Sequence, residues 1–92
     1  MTPPDDVAAC LDAIPMGANT GRYGGRRYLV TRSKFATGKS QKLVAQELGG
    51  PDYISLNFYT LKDGPRLYPC EMPAEKVISF LRGYRPDLKD PT

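Results

Sequence analysis

The strongest constraint on the fold is a run of alternating side chains from Tyr53 to Leu61, followed by an Asp63–Gly64 turn. Apolar residues in this run alternate with polar residues and tyrosines, as in a strand with one buried face: Ile54, Leu56 and Phe58. An Asp-Gly pair between two such runs is typical of a β-hairpin. Arg66 to Met72 is therefore predicted as the return strand. Pro69 lacks an N–H for the ladder, which places that strand at a sheet edge.

Helices are predicted at both ends of the chain. Pro73 suits a helix start, Gly83 suits its end, and an apolar stripe between them has helical spacing: Val77, Phe80, Leu81 and Tyr84. Near the N-terminus, Asp5 or Asp6 can cap a short helix over 5–14 whose apolar face is formed by Val7, Leu11 and Ile14. The segment 85–92 is rich in proline and charge and is predicted to fray.

The middle of the chain is less clearly patterned. Residues 16–25 contain four glycines and are predicted as a loop. Arg27 to Phe35 has the alternation of a strand. Residues 40–48 favour a helix by composition, but a turn at Thr37–Gly38 equally permits a hairpin. In that hairpin Val30 would pair with Ala45, Arg32 with Leu43, and Ser33 with Lys42.

Together these elements predict one small α+β domain over residues 1–92, with its core at about 26–84. We expect an antiparallel sheet of three or four strands, packed on one face by the C-terminal helix, with a short N-terminal helix. The predicted core comprises Ile54, Leu56, Phe58, Val77, Phe80 and Leu81.

Composition excludes several kinds of site. The chain has no His and only two Cys, so we expect no metal centre, no cofactor and no imidazole-based catalytic triad. No run approaches the ~20 apolar residues that span a bilayer, and the N-terminus lacks the basic start of a secretory signal. A cytoplasmic protein without membrane contact is expected.

The net charge of +3 hides an uneven distribution. The first twelve residues hold three acids and no base, whereas residues 13–46 hold seven bases and no acid: Arg22, Arg26, Arg27, Arg32, Lys34, Lys39 and Lys42. Such an excess attracts phosphates or acidic partners, unless acids from elsewhere in the fold pair with it.

The segment from Gly21 to Tyr28 interleaves arginine, glycine and tyrosine. Arginine contacts phosphates, and aromatic faces stack on unpaired bases. Tyr23 and Tyr28 therefore join the seven bases as candidate binding residues for nucleic acid or another polyanion. Tyr53 and Tyr59 lie opposite the core residues of their strand, where they either stack on bases or are covered by the N-terminal helix.

Three stretches resemble small bacterial proteins that are sometimes labelled peptide methionine sulfoxide reductase. They are Phe35 to Gly50, the Ile-Ser-Leu-Asn run at 54–57, and Pro-Cys-Glu-Met-Pro at 69–73. The resemblance implies a thiol enzyme in which Cys70 is the nucleophile and Cys10 resolves its oxidised form. The Gly-Cys-Phe-Trp and Arg-x-Cys-x-Asn motifs of the better-known reductases are absent.

Three functional hypotheses follow. The first is a non-enzymatic domain that binds nucleic acid or another polyanion through residues 22–42. The second is an accessory domain whose edge strand at 66–72 accepts a strand from a partner, or whose basic segment meets an acidic protein. The third is a thiol enzyme of the reductase type acting through Cys70.

Overall fold

A six-stranded antiparallel sheet forms the body of the protein, in the strand order β5-β4-β3-β2-β1-β6. The computed structural model describes residues 1–87. Its elements are α1 (Val7–Asp12), β1 (Gly17–Tyr23), β2 (Arg26–Phe35), a short 3-10 turn (Ala36–Gly38), β3 (Ser40–Glu47), β4 (Tyr53–Leu61), β5 (Gly64–Pro69), α2 (Ala74–Gly83) and β6 (Arg85–Pro86). The α+β class is confirmed, but the expectation of three or four strands is wrong.

Residues 40–47 form a strand, which decides between the two interpretations of this segment. β3 pairs with β2 in the register predicted for the hairpin, with Val30 opposite Ala45 and Ser33 opposite Lys42. Alternate residues of β3 are buried. Burying that one face stabilises a strand, and this outweighs the modest helix propensity of the segment.

The extra strands come from two segments that the sequence analysis treated as irregular. Residues 17–23 are not a loop: they form β1, paired with β2 along its whole length. The turn is confined to Gly24 and Gly25, whose φ angles of 60° and 77° are those of a two-residue hairpin turn. Gly21 is needed in the strand, because a Cβ there would collide with the Tyr84 ring.

The segment after α2 is also partly ordered in the sheet. Arg85–Pro86 forms β6 against β1, and the Asp87 N–H donates to the Thr20 carbonyl at 2.9 Å. The prediction of a frayed tail is therefore wrong for 85–87, and its remainder lies outside the described residues. β5 begins and ends slightly earlier than predicted, at Gly64–Pro69.

Both helices pack on the same face of the sheet and close the core there. All six residues predicted for the core are buried, together with Val7, Leu11, Tyr28 and Leu67. The Asp6 side chain makes no capping bond to α1 and instead forms a 2.8 Å salt bridge with Arg82 of α2. That ion pair joins the two helices.

The opposite side of the sheet, called here the open face, carries the other set of alternating side chains. Leu29, Phe35, Tyr53 and Tyr68 are all exposed on their strands. Because α1 packs against α2 on the helical face, it does not cover Tyr59 as one interpretation of the sequence proposed. The open face is the surface on which a binding site can form.

Candidate polyanion-binding site

The arginine–glycine–tyrosine segment proves to be structural. Tyr28 is buried, and its hydroxyl donates to Asp52 at 2.7 Å. Burial, together with that bond, raises the pKa of Tyr28 to about 12. Tyr23 packs edge-on against Phe80, with ring centroids 5.0 Å apart. Neither tyrosine therefore presents a free ring face to a ligand, and both predictions are corrected.

Two arginines of the same segment are paired with acids from distant parts of the chain. Arg26 lies 3.5 Å from Glu47, and Arg27 lies 2.6 Å from Asp87. The Asp87 carboxylate also accepts a bond from Thr20, and these partners hold its pKa below its usual value. The fold thus pairs two of the bases predicted for the site at this end of the sheet with acids.

Arg32 is a buried structural residue and not a phosphate ligand. Only 4% of its surface is exposed, and it points into the helical face. Its guanidinium donates to Gln41 Oε1 at 2.8 and 3.0 Å, to the Ile14 carbonyl at 2.6 Å, and to Asp12 at 3.1 Å. The side chain thus ties the end of α1 to the sheet, and the predicted surface role is wrong.

The four remaining candidate bases are exposed but do not share one surface. Arg22 lies on the open face opposite Arg27, beside the turn at Gly24–Gly25. Lys34 pairs with buried Gln41 and so lies on the helical side. Lys42 lies on the open face at the other end of the sheet, near Lys39 at the tip of the β2–β3 hairpin. The structure therefore divides the predicted site between two ends of the sheet.

The end that holds Lys39 and Lys42 gains further bases and aromatic rings from β4 and β5. Pairing across the sheet aligns Phe35, Ser40, Tyr59 and Arg66 in one row of the open face. The next row holds Lys42, Asn57 and Tyr68. We call this end of the sheet the aromatic–basic corner. It consists of the open-face residues Phe35, Lys42, Tyr59, Arg66 and Tyr68, together with Lys39 and Lys62 in the two adjoining hairpin turns.

The aromatic–basic corner is positively charged because its acids are few. The segments that build it, 34–42 and 57–68, contain five bases and a single acid, Asp63. Within residues 1–87, none of its four bases forms a salt bridge. Lys39 and Lys62 also line a surface depression of about 410 Å³ with Thr60 and Leu61. Unpaired cations in a concave surface attract anions.

The contribution of Lys62, Arg66 and Tyr68 to the site was not predicted from the sequence. These residues lie beyond the acid-free segment, and only the pairing of β3 with β4 and of β4 with β5 brings them beside Lys42. The hairpin signal at Asp63–Gly64 contained part of this information, because it already implied that Arg66 returns alongside Tyr59.

The β5 edge offers little to a partner strand. The Leu67 N–H donates to the Met1 carbonyl at 2.8 Å, and the Met1 amino group donates back to the Leu67 carbonyl. Residues two positions away on either side, Pro65 and Pro69, have no N–H to offer. The outward-facing donors of this strand are therefore absent or occupied, which disfavours strand addition here.

Cys10 and Cys70 lie on opposite faces of the sheet. Cys10 packs against the core on α1, whereas Cys70 Sγ accepts a 3.4 Å bond from Asn57 on the open face. Both thiols are free. Because the sheet separates the two thiols, Cys10 is poorly placed to resolve an oxidised Cys70. A reactive role for Cys70 alone stays a prediction.

Comparison of the chain with family models, curated proteins and solved structures finds no match. Neither helix in the described part of the chain is long and apolar enough to cross a membrane. Among residues 1–87, no group of three or more acidic or thiol side chains is arranged to hold a metal ion. The functional proposal therefore depends on the surface itself.

Proposed function

We propose that this protein is a small non-enzymatic domain that binds polyanions, nucleic acid foremost, through the aromatic–basic corner. The observation that carries the proposal is that none of the four cations of this corner has a salt-bridge partner in the described chain: Lys39, Lys42, Lys62 and Arg66. Asp63 is the only acid in the two segments that build the corner, 34–42 and 57–68. Phosphate groups are the ligand that such an arrangement suits best.

We therefore assign the binding site to one end of the open face, and not to the whole of residues 22–42. At the other end Arg26 and Arg27 already pair with Glu47 and Asp87, which leaves Arg22 and Arg85 there without a salt bridge in the described chain. At the aromatic–basic corner no salt bridge within residues 1–87 competes with a phosphate for any of the four bases. Binding there is expected to weaken steeply with salt, because each contact releases counterions from the ligand.

Fluorescence anisotropy with a labelled oligonucleotide at two salt concentrations tests this proposal. Lys42→Gln and Arg66→Gln should each weaken binding and reduce the slope of log K against log salt by about one unit. Arg22→Gln is the matched control, since it removes an exposed arginine from the other end of the same face. Its affinity and salt slope should match those of the wild type.

Two outcomes would overturn the proposal. One is the absence of binding at low salt. The other is a loss in Arg22→Gln that equals the loss in Lys42→Gln, which would place the contact elsewhere. An acidic polypeptide is measured in parallel, because an acidic protein is the competing partner. Tighter binding of polyglutamate than of an oligonucleotide of equal charge would assign the surface to a protein instead.

A further inference from the structure

The aromatic–basic corner carries more apolar ring surface than a purely electrostatic site requires. Phe35 is 55% exposed and Tyr68 is 48% exposed, and Tyr59 lies half-buried between them in the sheet order. All three lie on the open face, so they contribute nothing to the core on the helical face. Exposed aromatic side chains that cluster in this way mark interaction surfaces.

Two of the three rings are in contact, and the third is separated from them by a small residue. Tyr59 and Tyr68 meet edge to face, with centroids 5.5 Å apart and planes inclined by 68°. Phe35 lies two strands from Tyr59 with only the small Ser40 between them, a backbone separation of about 10 Å. A planar group can therefore lie between Phe35 and Tyr59 without displacing a bulky side chain.

Cations flank the rings on the same surface. Arg66 is directly opposite Tyr59 across β4 and β5, and Lys42 lies in the same row as Tyr68, with Asn57 between them. A ligand that rests on the rings thus places its charged groups within reach of both bases. Rings for planar groups beside cations for phosphates are the combination by which proteins hold unpaired nucleotides.

The same charges argue against a second copy of this chain as the occupant. A face-to-face dimer would bring Lys39, Lys42, Lys62 and Arg66 of one protomer against the same residues of its partner. Like charges in contact oppose association, whereas a polyanion neutralises them. Double-stranded nucleic acid satisfies the cations but hides its base faces inside the stack, so the rings would gain nothing from it.

We propose that the aromatic–basic corner binds single-stranded nucleic acid, with unpaired bases stacked on Tyr59, Tyr68 and Phe35. This inference rests on the proposed polyanion-binding function and specifies its ligand. The bases supply contact with the rings, and the phosphates supply contact with Lys42 and Arg66. Preference for single strands follows from the rings, and salt dependence follows from the cations.

Three probes separate the inference from the function on which it rests. They are a single-stranded oligonucleotide of about 12 nucleotides, its duplex, and inorganic polyphosphate, which has charge but no bases. The wild type should bind the single strand most tightly. Tyr59→Leu and Tyr68→Leu should each weaken that binding about 5- to 100-fold, while affinity for polyphosphate stays unchanged.

Conservative variants provide the controls. Tyr59→Phe and Tyr68→Phe keep the rings and should bind as the wild type does. Tyr53→Leu removes a comparably exposed tyrosine, 46% exposed, from the far end of β4, where Lys76 Nζ already lies 5.8 Å from the ring centroid. It should leave binding unchanged. Urea denaturation of each variant confirms that the fold is retained.

Equal affinity of the wild type for single strand, duplex and polyphosphate would overturn the stacking proposal and leave polyanion binding in place. So would Leu variants that bind the single strand as the wild type does. Failure to bind any of the three probes would refute both proposals together.

Discussion

Replacing Arg32 by alanine should destabilise the protein without affecting its binding surface. The guanidinium is buried and bridges three groups on different elements: Gln41 on β3, the Ile14 carbonyl and Asp12 at the end of α1. Truncation removes all of these bonds at once. It leaves the buried Gln41 amide and the Ile14 carbonyl without their donor.

The size of the effect follows from the burial of each partner. Each buried acceptor left without a donor costs roughly 1–3 kcal/mol. Asp12 is 68% exposed, so it rehydrates and its ion pair with Arg32 adds little. The expected loss is about 3 kcal/mol of unfolding free energy. This is at the low end of the range of losses measured when one member of a buried ion pair is removed. For a domain of this size, that lowers Tm by roughly 12–24 °C.

Urea denaturation followed by circular dichroism measures the loss directly. The midpoint for Arg32→Ala should fall by about 1–2 M with little change in the slope m. Arg22→Ala is the control and should lie within about 0.5 kcal/mol of the wild type, because its side chain is exposed. An Arg32→Ala protein that keeps wild-type stability but loses oligonucleotide binding would refute the structural role assigned to Arg32.

Two further predictions concern stability. Bonds from Lys76 and Tyr28 hold the pKa of Asp52 below its ordinary value of 3.8. The ionised Asp52 therefore stabilises the folded protein above pH 3.8, and this stabilisation is lost as the pH falls through the lowered pKa. Asp52→Asn should therefore lower the free energy of unfolding by about 1 kcal/mol at neutral pH. In acid denaturation the difference in stability from the wild type should shrink below pH ~4. A difference that stays constant with pH would contradict this. Gly21→Ala should lower the free energy of unfolding by about 1–3 kcal/mol, because the alanine Cβ would collide with the Tyr84 ring and the Arg85 carbonyl. An unchanged Tm would contradict the close packing at this position.

The sequence predicts those parts of the fold where local pattern and burial agree. Alternation of Ile54, Leu56 and Phe58 identified β4 and its buried face. The pairing of β2 with β3 was one of two interpretations that the sequence left open, and the burial of alternate residues of β3 decides for it. β1 lacks such a pattern. It pairs with β2 along its whole length and packs against Tyr84, whose ring lies over Gly21 and whose hydroxyl donates to Asn19 at 2.7 Å.

The candidate site was only partly predictable, because charge counted along the chain does not reveal pairing in space. Arg32 and Lys42 are both bases of the acid-free segment, and nothing in the sequence distinguishes them as candidates. In the structure Arg32 is buried among polar partners, whereas Lys42 is exposed. The acids that neutralise Arg26 and Arg27 lie far away in sequence, at Glu47 and Asp87. Sheet pairing, which the sequence specified only locally, decides which bases share a surface.

Amide chemical-shift mapping of the ¹⁵N-labelled protein, titrated with a single-stranded oligonucleotide, locates the binding surface without any substitution. We predict saturable shifts concentrated at the aromatic–basic corner, at Lys42, Tyr59, Arg66 and Tyr68 on their three strands. The turn at Gly24–Gly25, at the opposite end of the sheet, should not respond. Shifts centred on that turn, or no shifts at low salt, would exclude binding at the aromatic–basic corner.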